Sequence, residues 1–311
     1  MRMKAIVTAV AVAAGGLAAT ATPAVASAST AGGDGTVLAA SLRGANEVPA
    51  VGDQDGAALQ FVKVDGDKVS VAVKWRGTDK PTALHIHQGA KGTNGGVKVD
   101  FTELLKSKGK GKGKSKSKSK ARTVTGTVKV NDPALLDALK TDPTSFYANL
   151  HTAEFPGGAV RGQFHKVTVA AFDFRDALDN FQASVLKGKQ IYECKPVEGG
   201  GYAFAQRDVS AVLGADIAHS FVAPNSGTPQ WIAPDRSAVT GAVISRTPNG
   251  AGNIPELDIK ATQSGKQHGL FAGTTEILRL NTVGGVAPAG SCTAGTIVGV
   301  PYQADYVFLR G

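Results

Sequence analysis

His85, Ile86 and His87 place two imidazoles two residues apart, and a β-strand through them turns both to one face. Two such rings can hold one zinc or copper ion at about 2 Å per nitrogen. Asn149-Leu150-His151-Thr152 ends a later apolar segment with another histidine, and Arg161-Gly162-Gln163-Phe164-His165 supplies one more. The candidate metal set is His85, His87 and His151, with His165 as a further candidate, and the candidate cofactor is copper or zinc. The plain alternative is a group of histidines that hydrogen-bond turns and backbone inside a tight core. Other chemistry is thinly represented: no GxSxG, HExxH or P-loop pattern occurs. Asp216 with His219, or Asp305 with Tyr306, can be drawn as acid–base pairs, but chance produces such pairs often. Tyr192, Tyr202, Trp231, Tyr302 and Tyr306 are read as core or rim aromatics ahead of a carbohydrate platform, because amphipathic rings suit both. A non-enzymatic protein is therefore favoured.

The elements that must position these residues are short strands. Leu59 to Val64 and Val69 to Trp75 alternate apolar and polar residues around Asp65-Gly66-Asp67, a hairpin signature. Further strands are expected at 82–87, 97–101, 123–130, 146–151 and 159–166. One helix fits between them, with Asn131 or Asp132 as its cap, Pro133 in its first turn and Leu135, Leu136 and Leu139 as an apolar stripe. Phe172, Phe174, Leu178, Phe181 and Val185 follow a loosely helical spacing over 170–187. Beyond Gln190, β-like segments return at 190–194, 202–204, 220–223, 238–245, 257–261, 275–280 and 302–309. The expected fold is all-β with two domains: a β-sandwich over 37–168, then a second β-rich sandwich or barrel over 172–311.

Charge and composition narrow the function classes. The chain of 311 residues carries 34 basic and 25 acidic residues, a formal excess of +9. Lys106, Lys108, Lys110, Lys112, Lys114, Lys116, Lys118, Lys120 and Arg122 account for that entire excess within one Gly/Ser-rich run. The remainder is neutral, which disfavours a basic nucleic-acid-binding fold and sequence-specific nucleic-acid recognition. The run itself has no apolar side chain to bury and repels itself, so a disordered loop at 106–122 is expected. Lys106 to Lys120 form a candidate contact for an anionic surface such as a cell-wall polymer or extracellular matrix. No aromatic residue is interleaved there, which argues against a stacking platform for single strands.

Residues 1–28 read as a cleaved signal peptide. Arg2 and Lys4 precede the small apolar residues Ala5 to Ala19, and Ala24-Val25-Ala26 and Ala26-Ser27-Ala28 are cleavage candidates. No later stretch reaches membrane-spanning length, so a secreted, extracellular protein without a span after cleavage is expected. In that compartment the two cysteines, Cys194 and Cys292, read as a disulfide, the alternative being two free structural thiols.

Leu42-Arg43-Gly44-Ala45-Asn46-Glu47-Val48-Pro49, His85-Ile86-His87-Gln88-Gly89, Gly95-Gly96-Val97, Tyr147-Ala148-Asn149-Leu150-His151-Thr152 and Pro156-Gly157-Gly158-Ala159-Val160-Arg161-Gly162-Gln163 stand in the order found in the chordin-type (CHRD) domain. Residues 37–166 resemble that family, which implies an immunoglobulin-like sandwich module of secreted proteins. The Cys-rich modules that accompany growth-factor binding in animal chordins are missing. The HxH strand, later histidine and Gly-Gly-Ala-Val-Arg-Gly turn are also similar in outline to copper/zinc superoxide dismutases. A dismutase needs further zinc ligands and a disulfide beside the site, and no cysteine precedes Cys194. Residues 172–311 resemble the family catalogued as domain of unknown function 3455, through Gln190 to Cys194, Gly200 to Phe204, Pro229-Gln230-Trp231, Leu280 to Pro288 and Pro301 to Phe308. That resemblance implies export and a β-rich fold, with both cysteines at the family's positions. The favoured role is extracellular binding or adhesion; the competing one is a copper- or zinc-binding metalloprotein using His85, His87 and His151.

Overall fold

A computed structural model describes residues 35–107, 122–169 and 172–311. Residues 1–28, where a signal peptide is expected, and most of the Lys-rich run, Lys108 to Lys120, where a disordered loop is expected, lie outside the described residues. Within them, no helix is long and apolar enough to cross a membrane.

The N-terminal domain comprises β1 (Thr36–Arg43), β2 (Ala57–Asp65), β3 (Lys68–Arg76), β4 (Pro81–Gln88), β5 (Val97–Asp100), α1 (Thr102–Ser107), β6 (Arg122–Lys129), α2 (Pro133–Thr141), β7 (Phe146–Thr152), β8 (Val160–Gln163) and β9 (His165–Lys166). Its nine strands form one sheet in the order β5-β4-β7-β8-β1-β2-β3-β6, with β9 added beside β1. Between β1 and β8 the only registered pair is Arg43 with Arg161, so the sheet turns a corner there. Both halves then face one core, where Leu38, Val62 and Val71 meet Leu84, Ile86 and Leu150. The expected helix is α2: Asp132 caps it by accepting from the Leu135 amide at 3.0 Å, and Leu135, Leu136 and Leu139 are buried.

The C-terminal domain is a closed eight-strand barrel of β10 (Phe181–Pro196), β11 (Tyr202–Leu213), β12 (Ile217–Phe221), β13 (Pro229–Ile232), β14 (Ala238–Thr247), β15 (Glu256–Gln263), β16 (Thr274–Gly284) and β17 (Ile297–Arg310). This resolves the sandwich-or-barrel choice. Each strand pairs with its neighbour in sequence, and β10 closes onto β17. The helical reading of 170–187 is corrected: Phe174–Asp179 is a short 3-10 turn and β10 begins at Phe181. Phe181 packs on Phe308 of the barrel, while Phe172, Phe174 and Leu178 join a separate apolar cluster.

That cluster joins the two domains. Along β1 and β2, Leu38, Leu42 and Val62 face the N-terminal core, whereas Ala39, Leu59 and Phe61 face outward onto Leu278, Leu280, Val307 and Leu309 of the barrel wall. Strands buried on both faces lose the clean alternation of a solvated sheet.

Polar groups border the apolar contact. Asp305, fully buried, accepts from Ser41 Oγ, Arg43 Nε, Arg43 Nη2, Ser184 Oγ and Asn281 Nδ2. Burial pushes its pKa up, but Arg43 and these donors outweigh that and hold it below the usual range. Asn281 bridges the domains in a left-handed conformation (φ 52°) that Asn tolerates better than most residues. His165 pairs with Glu256 at 3.1 Å, and Lys91 joins the same carboxylate at 3.0 Å. Beside them, Glu276 receives the Thr168 and Val169 amides and shares its surroundings with Asp258.

Burial, then the charge of Asp258, pushes the Glu276 carboxyl well above the ordinary range, and burial also raises Asp258. The folded protein therefore keeps a proton there that the unfolded chain releases above its ordinary value of 4.5. Stability contributed by this pair is full below that value and falls as pH rises, by at most about 1.4 kcal/mol per pH unit for one proton. Urea unfolding between pH 5 and 9 should show this decline in the wild type and a flatter profile in Glu276→Gln. Parallel profiles would reject the shared proton.

Candidate metal centre

The register of β4, β5 and β7 brings the three histidines together. His85 pairs with Asn149 across β7, so His85, His87, Asn149 and His151 all project from one face, opposite the domain core. One ligand nitrogen from each of His85, His87 and His151 lies within 4.8 Å of the other two. His85 Nδ1 and His151 Nε2 are 3.2 Å apart. Two nitrogens bound tetrahedrally to one ion at about 2.0–2.1 Å would stand about 3.3 Å apart.

Neighbouring carbonyls fix two tautomers. A carbonyl only accepts, so His87 Nδ1–H donates to Gly95 O at 2.9 Å and His151 Nδ1–H to Pro156 O at 3.0 Å. Each Nε2 is left with a lone pair, and that of His87 is buried without a partner. Because His151 Nε2 can only accept, His85 Nδ1–H donates to it. His85 Nε2 faces Thr102 Oγ1 at 3.3 Å and Asp100 Oδ1 at 3.4 Å, so its proton can move to that side and free Nδ1. Carbonyls and a carboxylate behind imidazoles orient metal ligands in this way. Burial is the first cause lowering the pKa of all three histidines, which favours the neutral, ligand-competent form.

A cationic column holds the covering loop. Arg161 projects from β8 on the same face as Asn149 and lies 3.5 Å from the Tyr147 ring centroid; His87 stacks on the same tyrosine at 4.9 Å. Its guanidinium donates to Asn94 Oδ1, Ala90 O and Thr93 O, pinning the loop that delivers Gly95 O to His87. Gly95 is required by close approach, since a Cβ there would sit 1.6 Å from Gln88 O. Beside the column, burial raises Glu47 to about 7 against the opposing pull of Arg161 and Asn149.

Of the predicted site residues, His85, His87 and His151 converge, whereas His165 serves the domain interface with Glu256. Arg161, Tyr147, Glu47 and Asp100 were missed as parts of the site. For Tyr147 and Arg161 the signal was alternation: Tyr147, Asn149 and His151 on one strand and Arg161 and Gln163 on the next repeat every second residue, as His85 and His87 do. Lys106, the described member of the Lys run, pairs with Glu103 at 2.5 Å. Cys194 and Cys292 are joined in a disulfide.

The acid–base pairs drawn from sequence do not form. Asp305 faces the N-terminal domain, while Tyr306 points into the barrel and bonds His219, so neither Asp305–Tyr306 nor Asp216–His219 is a pair. Tyr192, Trp231, Tyr302 and Tyr306 are buried and Tyr202 is exposed, which is the core reading of those rings.

Comparison with protein families finds the CHRD domain over residues 38–164 and the Protein of unknown function (DUF3455) family over 210–310, in that order. The second match begins after Cys194 and contains Cys292. No curated protein and no solved structure matches the chain.

Proposed function

We propose that this chain, which carries a CHRD domain at 38–164 ahead of a DUF3455 region at 210–310, binds one zinc or copper ion through His85, His87 and His151. The observation that supports this most directly is the buried His87 Nε2, with no partner, facing two further imidazole nitrogens held 3.2 Å apart. An all-nitrogen set of neutral imidazoles suits zinc and copper and is poor for calcium or magnesium. His85 Nδ1, His87 Nε2 and His151 Nε2 would be the ligands. Asp100, Gly95 O and Pro156 O would keep the three rings in the required tautomers. With only three protein ligands, such an ion retains room for a water or another small ligand, which serves delivery of the metal or activation of the bound molecule.

An extracellular setting belongs to the same proposal. It is supported by the signal-like residues 1–28 and by the Cys194–Cys292 disulfide, since disulfides persist in oxidising compartments.

The test is metal content of the purified full chain after loading with zinc or copper(II) and dialysis. About one equivalent should remain on the wild type, and His87→Ala should bind at least about a hundredfold more weakly. His165→Ala, which leaves the three rings intact, should retain the ion. No stoichiometric metal on the wild type, or equal retention by His87→Ala, removes the reading.

A further inference from the structure

The barrel contains a second place where chemistry is unfinished. Its strands line a partly open cavity of about 300 Å³ bordered by Gln190, Phe221, Trp231, Arg246, Leu257 and Arg279. A closed eight-strand barrel is just wide enough to be filled by side chains or to hold one small ligand, and this volume is at the lower end for small-molecule sites.

The buried polar atoms left without partners along that cavity are donors. Trp231 is fully buried, and its indole Nε1–H has no acceptor. Gln190 is 1% exposed; its carbonyl oxygen accepts from Gln206 Nε2 at 2.7 Å, while its own Nε2–H donors have no partner. Arg279 donates through Nε and Nη2 to Pro255 O, and no Asp or Glu lines the cavity among the described residues. His219 offers nothing further, because Nδ1–H donates to Gln230 O at 2.8 Å and Nε2 accepts the Tyr306 hydroxyl at 3.1 Å. Burial holds this imidazole neutral, at about 3. The buried lining atoms left without partners are both donors, and Arg279 and Arg246 bring positive charge beside an apolar wall. Buried donors without acceptors are uncommon in folded proteins, and two belong to residues that line this one cavity.

We infer that the barrel cavity binds a small amphipathic organic anion, a carboxylate carried on an apolar body, whose oxygens take up the free donors of Trp231 and Gln190 and the charge of Arg279. This site is independent of the histidine cluster and would stand if that cluster held no metal.

The chain has two tryptophans, so Trp75→Phe leaves Trp231 as the reporter inside the barrel. In that background the full chain is titrated with octanoate, 1-octanol and octylammonium, which share one apolar body and differ in charge. Octanoate should change Trp231 emission saturably, 1-octanol should bind at least tenfold more weakly, and octylammonium should not bind. Arg279→Gln should weaken octanoate severalfold, with Arg246 remaining as a second cation at the cavity, and Gln190→Leu should weaken it without altering the alcohol. Absence of a saturable octanoate signal overturns the inference, as does an alcohol or ammonium probe that binds equally well. Because the order of the three probes is read on unaltered cavity residues, the outcome holds even if neither cavity variant folds.

Discussion

Asp305→Ala should destabilise the protein by about 3–5 kcal/mol, the usual cost of breaking a buried ion pair by removing one partner. The carboxylate is fully buried and accepts five hydrogen bonds, two from Arg43, one from Ser41 and one each from Ser184 and Asn281. Ser41 and Arg43 belong to β1, whereas Ser184 and Asn281 belong to the barrel, so the loss falls on the junction between domains. Removing the acceptor strands donors that water reaches poorly, since Ser41 is 1% exposed. Asp305→Asn keeps the shape but turns an added donor toward existing donors, and should cost less than Asp305→Ala. Trp75 lies in the N-terminal core and Trp231 in the barrel, which makes the two tryptophans domain-specific reporters. In urea, Trp75→Phe and Trp231→Phe backgrounds should unfold at one midpoint with Asp305 present and at two midpoints in Asp305→Ala. A loss below about 1 kcal/mol would mean that the apolar contact alone carries the junction.

The sequence made part of this legible through local periodicity. His85 and His87 share a face because strand side chains alternate, and that followed from spacing alone. Pro133 with leucines in a stripe located α2 and narrowed its cap to Asn131 or Asp132, of which Asp132 serves. Other features depend on partners distant in sequence. His151 joins the site only because β7 pairs with β4 in a register that sets Asn149 against His85. Arg161 and Glu47 stand in segments that carry a family resemblance, but their use, stacking on Tyr147 and lying buried beside Asn149, required knowing that β8 flanks β7. Barrel closure likewise rests on β10 meeting β17, a contact between the ends of the domain. The Phe172-to-Val185 segment was misread because one helical spacing spans two destinations: Phe172, Phe174 and Leu178 pack between the domains, and Phe181 and Val185 pack in the barrel. Leu59 and Phe61 held an unused clue, since apolar residues on the outward phase of a strand signal a second covered face.

The Cys194–Cys292 bridge should contribute stability of similar size by a different route. Its cysteines are 98 residues apart, spanning most of the barrel from β10 to the connection before β17. In the chain-entropy account, closing a loop of about 100 residues restricts the unfolded chain enough to add about 4.7 kcal/mol, and removal of native disulfides commonly costs 2–5 kcal/mol. The folded side has little reason to change in Cys194→Ser/Cys292→Ser. Cys194 N still donates to Thr296 O at 2.8 Å and Gly295 N to Cys194 O at 3.0 Å, so backbone bonds hold the same crossing without the sulfurs. The double variant should therefore keep the wild-type circular dichroism and Trp231 emission under native conditions. Its guanidinium midpoint should fall by an amount equivalent to about 2–5 kcal/mol, and reduction of the wild type should reproduce the shift. Trp75, in the other domain, separates the two ways the bridge could act. If the bridge acts on the barrel's unfolded chain, the Trp231 transition moves first and the Trp75 transition follows only as far as the domain junction couples them. Equal native-state perturbation at both tryptophans, or a midpoint that does not move, would overturn this account of the bridge.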